Sequence, residues 1–144
     1  AAGALGTCLV AVADDPALAR LARGRSRDMA RRGYYAHESP EGDLFVDRYR
    51  EAGYDCRVRV NRSAVATGSE NIAVTWAFER VTTHGAAEYH VTESEIARGL
   101  VRQWMASPDH RRNLLLPYWD DVGHGVVVPE VDGRTKVYAT KNFC

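Results

Sequence analysis

Lysine is almost absent from this chain of 144 residues. Lys136 and Lys141 are the only two, so 19 − 2 = 17 of the 19 basic residues are arginines. The basic residues are matched by 19 acidic ones, which leaves a formal net charge of zero at neutral pH. A chain without excess charge has no overall field that attracts nucleic acid or an anionic membrane. We therefore expect no nucleic-acid partner and interpret Arg20, Arg23, Arg27 and Arg31 of the first helix as a solvated face. Arg25 lies near the apolar edge of that helix and is expected to need a carboxylate or carbonyl partner.

Long hydrophobic runs are also missing. Residues 1–13 are small, mostly apolar and uncharged, but they are too few to span a bilayer. Two interpretations stay open for this segment: the remainder of an export signal, or an N-terminal segment that buries Cys8. We separate it from the domain predicted over residues 14–144, which is long enough for one hydrophobic core.

Cysteine is scarce, and none of the three cysteines lies in the CxxC spacing typical of zinc or redox sites. Cys144 is the last residue of the sequence, where a bridge to Cys56 would tie the C-terminal strand to the middle of the chain. Such a bridge persists only in an oxidising compartment, so it would imply export. The alternative is three free thiols in a cytosolic protein.

The residues that are present predict a mixed fold. Helical signals begin at Asp15-Pro16, recur over residues 43–52 and return at the Thr92–Glu95 capping box. The two β-rich stretches 122–128 and 135–140 flank an Asp-Gly turn and predict a hairpin. Residues 77–93, with His84 and His90, are interpreted as an irregular insertion whose histidines match no metal motif. Three or four helices around a small antiparallel sheet make an α+β protein.

One histidine lies at the start of a well-defined helix. Ser107 is a suitable N-cap and Pro108 a suitable first helical residue, which places His110 in the first turn. The positive end of the helix dipole favours the neutral imidazole there. Either the histidine completes a local hydrogen-bond network, or it belongs to a site.

Two further residues occur in similar settings. His37 lies on a turn between a helix end and a Ser-Pro pair, and Glu70 follows a Gly-Ser turn. Two histidines and one carboxylate can bind a divalent metal with open positions, or supply acid–base groups. His37, Glu70 and His110 are 33 and 40 residues apart, so the spacing alone does not bring them together.

The order of short motifs along the chain resembles the CAP superfamily, which comprises cysteine-rich secretory, antigen-5 and pathogenesis-related proteins, in its prokaryotic form. The resemblance runs from about residue 15 to the C-terminus, and its motifs are weak singly but specific together. They are Ser26-x-x-Met29-Ala30, Gly33-Tyr34-Tyr35-Ala36-His37, Pro40-x-Gly42, Asp47-Arg48, Gly53-Tyr54, Ser69-Glu70-Asn71-Ile72-Ala73, Trp104-Met105-x-Ser107-Pro108-x-His110-Arg111-x-Asn113, Gly123-x-Gly125 and Tyr138-Ala139-Thr140-x-Asn142-Phe143.

The resemblance implies a three-layer α-β-α sandwich in a secreted or surface-held protein. It also implies a shallow cleft in which His37, Glu70 and His110 converge. Two features depart from the family. Ser107 stands about where animal members carry a second cleft glutamate, and residues 1–13 replace the usual opening helix.

We expect a secreted binding module whose cleft holds zinc or another divalent cation through His37 and His110, with Glu70 as a third ligand or as an orienting group. Its partner would be a small molecule, a lipid or a surface component. The alternative is a metal-assisted hydrolase that uses Glu70 and a metal- or histidine-bound water. Because no nucleophile has a recognisable oxyanion context, the sequence predicts no defined catalytic activity.

Overall fold

The computed structural model describes residues 12–81, 87–89 and 92–144. Its helices are α1 (Pro16–Arg32), α2 (Phe45–Glu51), α3 (Glu93–Ala106) and α4 (Pro108–Leu115). Its strands are β1 (Ala13–Asp14), β2 (Val58–Arg59), β3 (Val65–Ala66), β4 (Ser69–Trp76), β5 (Phe78–Val81), β6 (Ala87–Tyr89), β7 (Asp121–Val127), β8 (Glu130–Val131) and β9 (Arg134–Phe143). No helix among the described residues is long and apolar enough to cross a membrane.

The main sheet has the strand order β1-β7-β9-β4, with β8 paired to β9. All its pairings are antiparallel except the one between β1 and β7. The predicted hairpin is confirmed: β7 pairs with β9 in antiparallel fashion from Val122 to Val127. The connection between them contains β8 and turns at Asp132 and Gly133, whose φ angles are both positive.

Side chains alternate across the sheet, so each face packs against its own helical layer. On one face, Ile72 and Tyr138 pack with Met29 of α1. On the other face, Ala73 packs with Leu100 and Trp104 of α3. The α+β fold and its α-β-α sandwich are therefore confirmed.

The Cys56–Cys144 disulfide is present, as predicted, and lies in a third cluster of buried residues at one end of the sheet. It joins the chain end to the segment before β2. Cys8 and the rest of residues 1–11 lie outside the described residues, so the proposed N-terminal boundary stays a prediction.

Several local predictions hold. Asp15 accepts a hydrogen bond from the Leu18 N–H at 2.8 Å, Gly33 ends α1 at a φ of 68°, and the Thr92–Glu95 capping box starts α3. Trp104 of α3 is 5% exposed and belongs to the core.

The predicted second helix is present but shorter, Phe45–Glu51 instead of roughly 43–52. Two other local predictions were wrong. The segment 77–93 contains the β5–β6 pair instead of irregular structure alone. The Ser107 side chain makes no capping hydrogen bond; only its backbone carbonyl accepts, from the Arg111 N–H at 2.8 Å. Ser107 also ends α3, so one residue serves as the boundary of both helices. His84 and His90 lie outside the described residues.

Candidate functional site

The site lies at the β4 edge of the main sheet, where the two helical layers meet. Glu70 and Asn71 are consecutive residues of β4, and their side chains therefore point to opposite faces. Glu70 turns toward the segment that follows α1, whereas Asn71 turns toward α4. Both are buried, at 4% and 0% exposure.

Glu70 holds His37 on one side of this edge. The His37 Nδ1 lies 3.1 Å from Glu70 Oε1, and the Glu70 side chain is only 1% exposed, whereas that of His37 is 47% exposed. Because Nδ1 is engaged by the carboxylate, Nε2 is the ring nitrogen left for a ligand.

Arg48 holds the second oxygen of the same carboxylate. Its guanidinium donates to Glu70 Oε2 at 2.6 Å and to the Asp43 carbonyl at 3.0 Å. A charge-assisted pair of this length is among the stronger hydrogen bonds of proteins. Arg48 therefore compensates a carboxylate that would otherwise be a buried, unpaired charge.

The backbone that carries His37 is fixed at two points. Arg25, which is buried in α1, donates to the Ala36 carbonyl and to the Tyr34 hydroxyl. The neighbouring Tyr35 hydroxyl donates to the Ile72 carbonyl of β4 at 3.1 Å. The sequence predicted a carboxylate or carbonyl partner for Arg25; the carbonyl is that of Ala36, and Asp28 lies 3.8 Å away.

His110 enters the site from the other helical layer. The Asn71 amide donates to the His110 carbonyl at 3.0 Å and accepts from the Asn113 amide at 2.8 Å. These two bonds attach α4 to β4 at the residue next to Glu70. The His37 and His110 rings then face each other with their centroids 6.0 Å apart and their planes at 51°.

The structure thus brings His37 and Glu70 into direct contact and places His110 opposite His37. Among residues 12–81, 87–89 and 92–144, no set of three histidine, cysteine, aspartate or glutamate side chains is already arranged around a common metal position. Arg48 and Asn71 were not predicted as site residues. Their only sequence signal was their place in the motifs Asp47-Arg48 and Ser69–Ala73.

The surroundings of His110 favour its neutral form. Burial lowers the pKa of His110 below its ordinary value of 6.5, and the nearby His37 lowers it further, while Asp109 opposes this shift. We predicted a neutral ring from the helix dipole; the first cause of the lowered pKa in the structure is burial. A neutral imidazole keeps a lone pair for a metal or for a hydrogen-bond donor.

This shift predicts a dependence of stability on pH. Because the folded-state pKa of His110 is lower than its unfolded value, the unfolded chain binds more protons, and stability falls as the pH decreases below about 6.5. Denaturant unfolding between pH 7 and pH 5 should show a smaller loss of unfolding free energy for His110→Gln than for the wild type. Burial also lowers the pKa of His124, so His124→Gln, a change away from the site, should reduce the loss in the same direction. An unchanged slope in His110→Gln would contradict the prediction.

Comparison with known proteins agrees with this architecture. The sequence profile of CAP, the cysteine-rich secretory protein family, matches residues 6–143. The chain belongs to the CAP family. The prediction from the motif order is thereby confirmed.

The CAP domain is similar to proteins from several bacteria. It is 28% identical over 113 residues to the uncharacterized protein YkwD of Bacillus subtilis, covering 78% of this chain and 34% of YkwD. It is 26% identical to an extracellular protein of Bacillus anthracis that contains an SCP domain; the match has a TM-score of 0.55 and covers 94% of this chain and 34% of that protein. The chain thus spans about a third of the length of these two relatives.

A third similarity concerns the fold alone. An outer surface protein of Borrelia burgdorferi is 15% identical to this chain and superimposes with a TM-score of 0.59. The match covers 94% of this chain and 78% of that protein. The CAP architecture is therefore retained at low sequence identity.

Proposed function

We propose that this CAP domain is an extracellular binding module whose cleft holds a divalent cation through His37 and His110. The observation that carries the proposal is the Glu70–His37 contact of 3.1 Å opposite a second imidazole. Metal-binding histidines commonly donate their other ring N–H to a carboxylate, which fixes the tautomer and the ring orientation. Glu70 would be that carboxylate.

The donor chemistry fits a small divalent ion such as zinc. His37 and His110, whose ring centroids are 6.0 Å apart, would hold the ion through imidazole nitrogens, a donor type that zinc commonly takes. Solvent or the ligand itself would supply the remaining positions. When bound, the ion would act as a Lewis acid toward a ligand oxygen.

The contacts of Glu70 favour the orienting role over that of a third ligand. Both of its oxygens are engaged, by His37 and Arg48, and its side chain is 1% exposed. The hydrolase alternative needs Glu70 to act on a water, and this carboxylate presents no free oxygen to the cleft. We therefore favour binding over hydrolysis.

The extracellular setting is supported by two kinds of observation. The Cys56–Cys144 disulfide is stable in oxidising compartments, and two structural relatives are described as an extracellular and an outer surface protein. A small molecule, a lipid or a surface component remains the proposed class of partner.

Titration calorimetry with zinc tests the proposal. We expect the wild type to bind one equivalent and the His37→Ala/His110→Ala double variant to lose at least tenfold in affinity, since each lost ligand weakens the site. His124→Ala is the matched control because His124 is also exposed but lies on β7. Equal affinity of the wild type and the double variant, with both folded by circular dichroism, would remove the metal site.

A further inference from the structure

One edge of β7 is mostly unpaired within the part of the chain that the structure describes. β9 pairs with β7 from Val122 to Val127, but β1 covers the opposite edge only at Asp121 and Val122. Beyond that point, no strand within residues 12–81, 87–89 and 92–144 pairs with this edge. The open edge covers residues 123–127, about 17 Å of extended chain.

The register shows which backbone groups face outward. Asp121 and Cys144 exchange two backbone hydrogen bonds of 2.8 Å, so Gly123 and Gly125 also bond to β9 in the alternating antiparallel pattern. His124 and Val126 therefore direct their N–H and C=O groups to the open edge. Such a row of unpaired groups is a template for an added strand.

The helix above this edge limits what can bind. A Cβ built on Gly123 would lie 2.2 Å from the Ala19 nitrogen, and one on Gly125 would lie 2.1 Å from the Arg23 nitrogen, so α1 rests directly on β7. Packed helices need about 8–10 Å between their axes. If a second copy paired with this edge, its β7 would lie about 4.8 Å from this β7. The two α1 helices, each resting on its own β7, would then be too close to pack. The space therefore suits an extended segment without a helical layer.

A basic side chain lies beside the edge on each face of the sheet, and the exposed Asp14 carboxylate lies at the end where β1 pairs with β7. On the α1 face, the backbone of Arg23 lies against Gly125, and the Arg23 residue is exposed. On the other face, Lys141 of β9 is the cross-strand neighbour of His124. Neither Arg23 nor Lys141 has a salt bridge to another residue in the described part of the chain, whereas His124 lies 3.8 Å from Asp14. Val126, which is 45% exposed, offers an apolar contact between them.

We propose that the β7 edge at His124–Val127 binds an extended acidic peptide as an added strand. Main-chain hydrogen bonds to His124 and Val126 would supply the affinity, as in other cases of strand addition. Peptide carboxylates would reach Arg23 on one face or Lys141 on the other. This surface is separate from the histidine cleft, because the cleft lies at β4, at the opposite edge of the main sheet.

Amide hydrogen exchange followed by NMR tests the proposal, with a ten-residue peptide of alternating glutamate and threonine as the probe. We expect the peptide to slow exchange of the His124 and Val126 amides, and a lysine–threonine peptide of equal length to leave them unchanged. Unaltered exchange with the glutamate peptide would overturn the proposal. Slow exchange of these two amides in the absence of peptide would also overturn it, whether or not the exchange rate depends on protein concentration. The edge would then already be covered by this chain or by a second copy.

Variants separate the two parts of the interaction. Val126→Pro removes an N–H that is not bonded to β9, so the sheet is retained while peptide binding is lost; Val126→Thr keeps the N–H and should bind. Lys141→Ala should weaken binding of the glutamate peptide by up to about fivefold, because it removes one cross-strand charge pair. Equal binding by Val126→Pro and Val126→Thr would contradict strand addition.

Discussion

Loss of the Cys56–Cys144 disulfide is expected to lower the free energy of unfolding by about 4.5 kcal/mol. The bridge closes a loop of 88 residues, and the loop-entropy relation gives this value for a loop of that length. The effect would be a large part of the 5–15 kcal/mol typical of a whole domain. Urea unfolding of Cys56→Ser/Cys144→Ser against the oxidised wild type measures it.

Two comparisons make this measurement specific. The reduced wild type should match the double serine variant, because both lack the same cross-link. Cys8→Ser is the matched control, since it removes a thiol that is not part of the bridge; Cys56→Ser/Cys144→Ser should lower the free energy of unfolding by more than Cys8→Ser does. A difference of less than about 1 kcal/mol between the oxidised wild type and Cys56→Ser/Cys144→Ser would contradict the loop-entropy account.

The disulfide also illustrates which parts of the fold the sequence could predict. Features decided by a few neighbouring residues were predicted correctly, such as the Thr92–Glu95 capping box and the Asp132-Gly133 turn. Each depends on local hydrogen bonds or on backbone conformations that only certain residue types favour. The bridge was suggested by the position of Cys144 at the end of the sequence.

Strand β4 was not recognised, and its burial explains why. Glu70, Asn71, Ile72 and Ala73 are all buried, because helices cover both faces of the sheet at this strand. The apolar–polar alternation of a half-buried strand is therefore absent. In the sequence, the polar pair Glu70-Asn71 looks like part of a turn. In the structure both residues are buried, with Glu70 bound to the His37 ring and Asn71 bound to the His110 backbone.

The convergence of the site residues could not be derived from spacing. His37 and His110 belong to opposite helical layers and meet only beyond the β4 edge, so no helical or strand period relates them. The family resemblance implied their meeting, and the contacts with Glu70 and Asn71 explain it. The supporting roles of Arg48 and Arg25 depend on tertiary contacts that the sequence does not display.

Glu70→Gln should have the second largest effect, a loss of about 3–4 kcal/mol in the free energy of unfolding. The substitution keeps the shape but removes the charge, which leaves the Arg48 guanidinium without its carboxylate; Arg48 itself is only 18% exposed. Breaking one partner of a buried ion pair typically costs about 3–5 kcal/mol, and the residual exposure of Arg48 places this case near the lower end. Urea denaturation at pH 7 measures the loss.

A double-mutant cycle distinguishes this charge effect from a loss of packing. In Glu70→Gln/Arg48→Met the unpaired cation is gone, so most of the stability should return, because buried ion pairs can be replaced by uncharged residues at little cost. Arg48→Met alone should also destabilise, since it leaves the buried Glu70 carboxylate without its guanidinium partner. If the double variant were as unstable as the sum of the single variants, the two residues would not act as a pair.

The same double variant separates stability from binding. Its fold is expected to be retained, but the glutamine at position 70 no longer fixes the His37 ring through a charged acceptor, and zinc affinity should fall about 10–100-fold, as for other lost orienting carboxylates. His37→Ala should weaken zinc binding further, because it removes a ligand instead of its support. Wild-type zinc affinity in Glu70→Gln/Arg48→Met would mean that the carboxylate stabilises the fold alone and that the histidines do not depend on it.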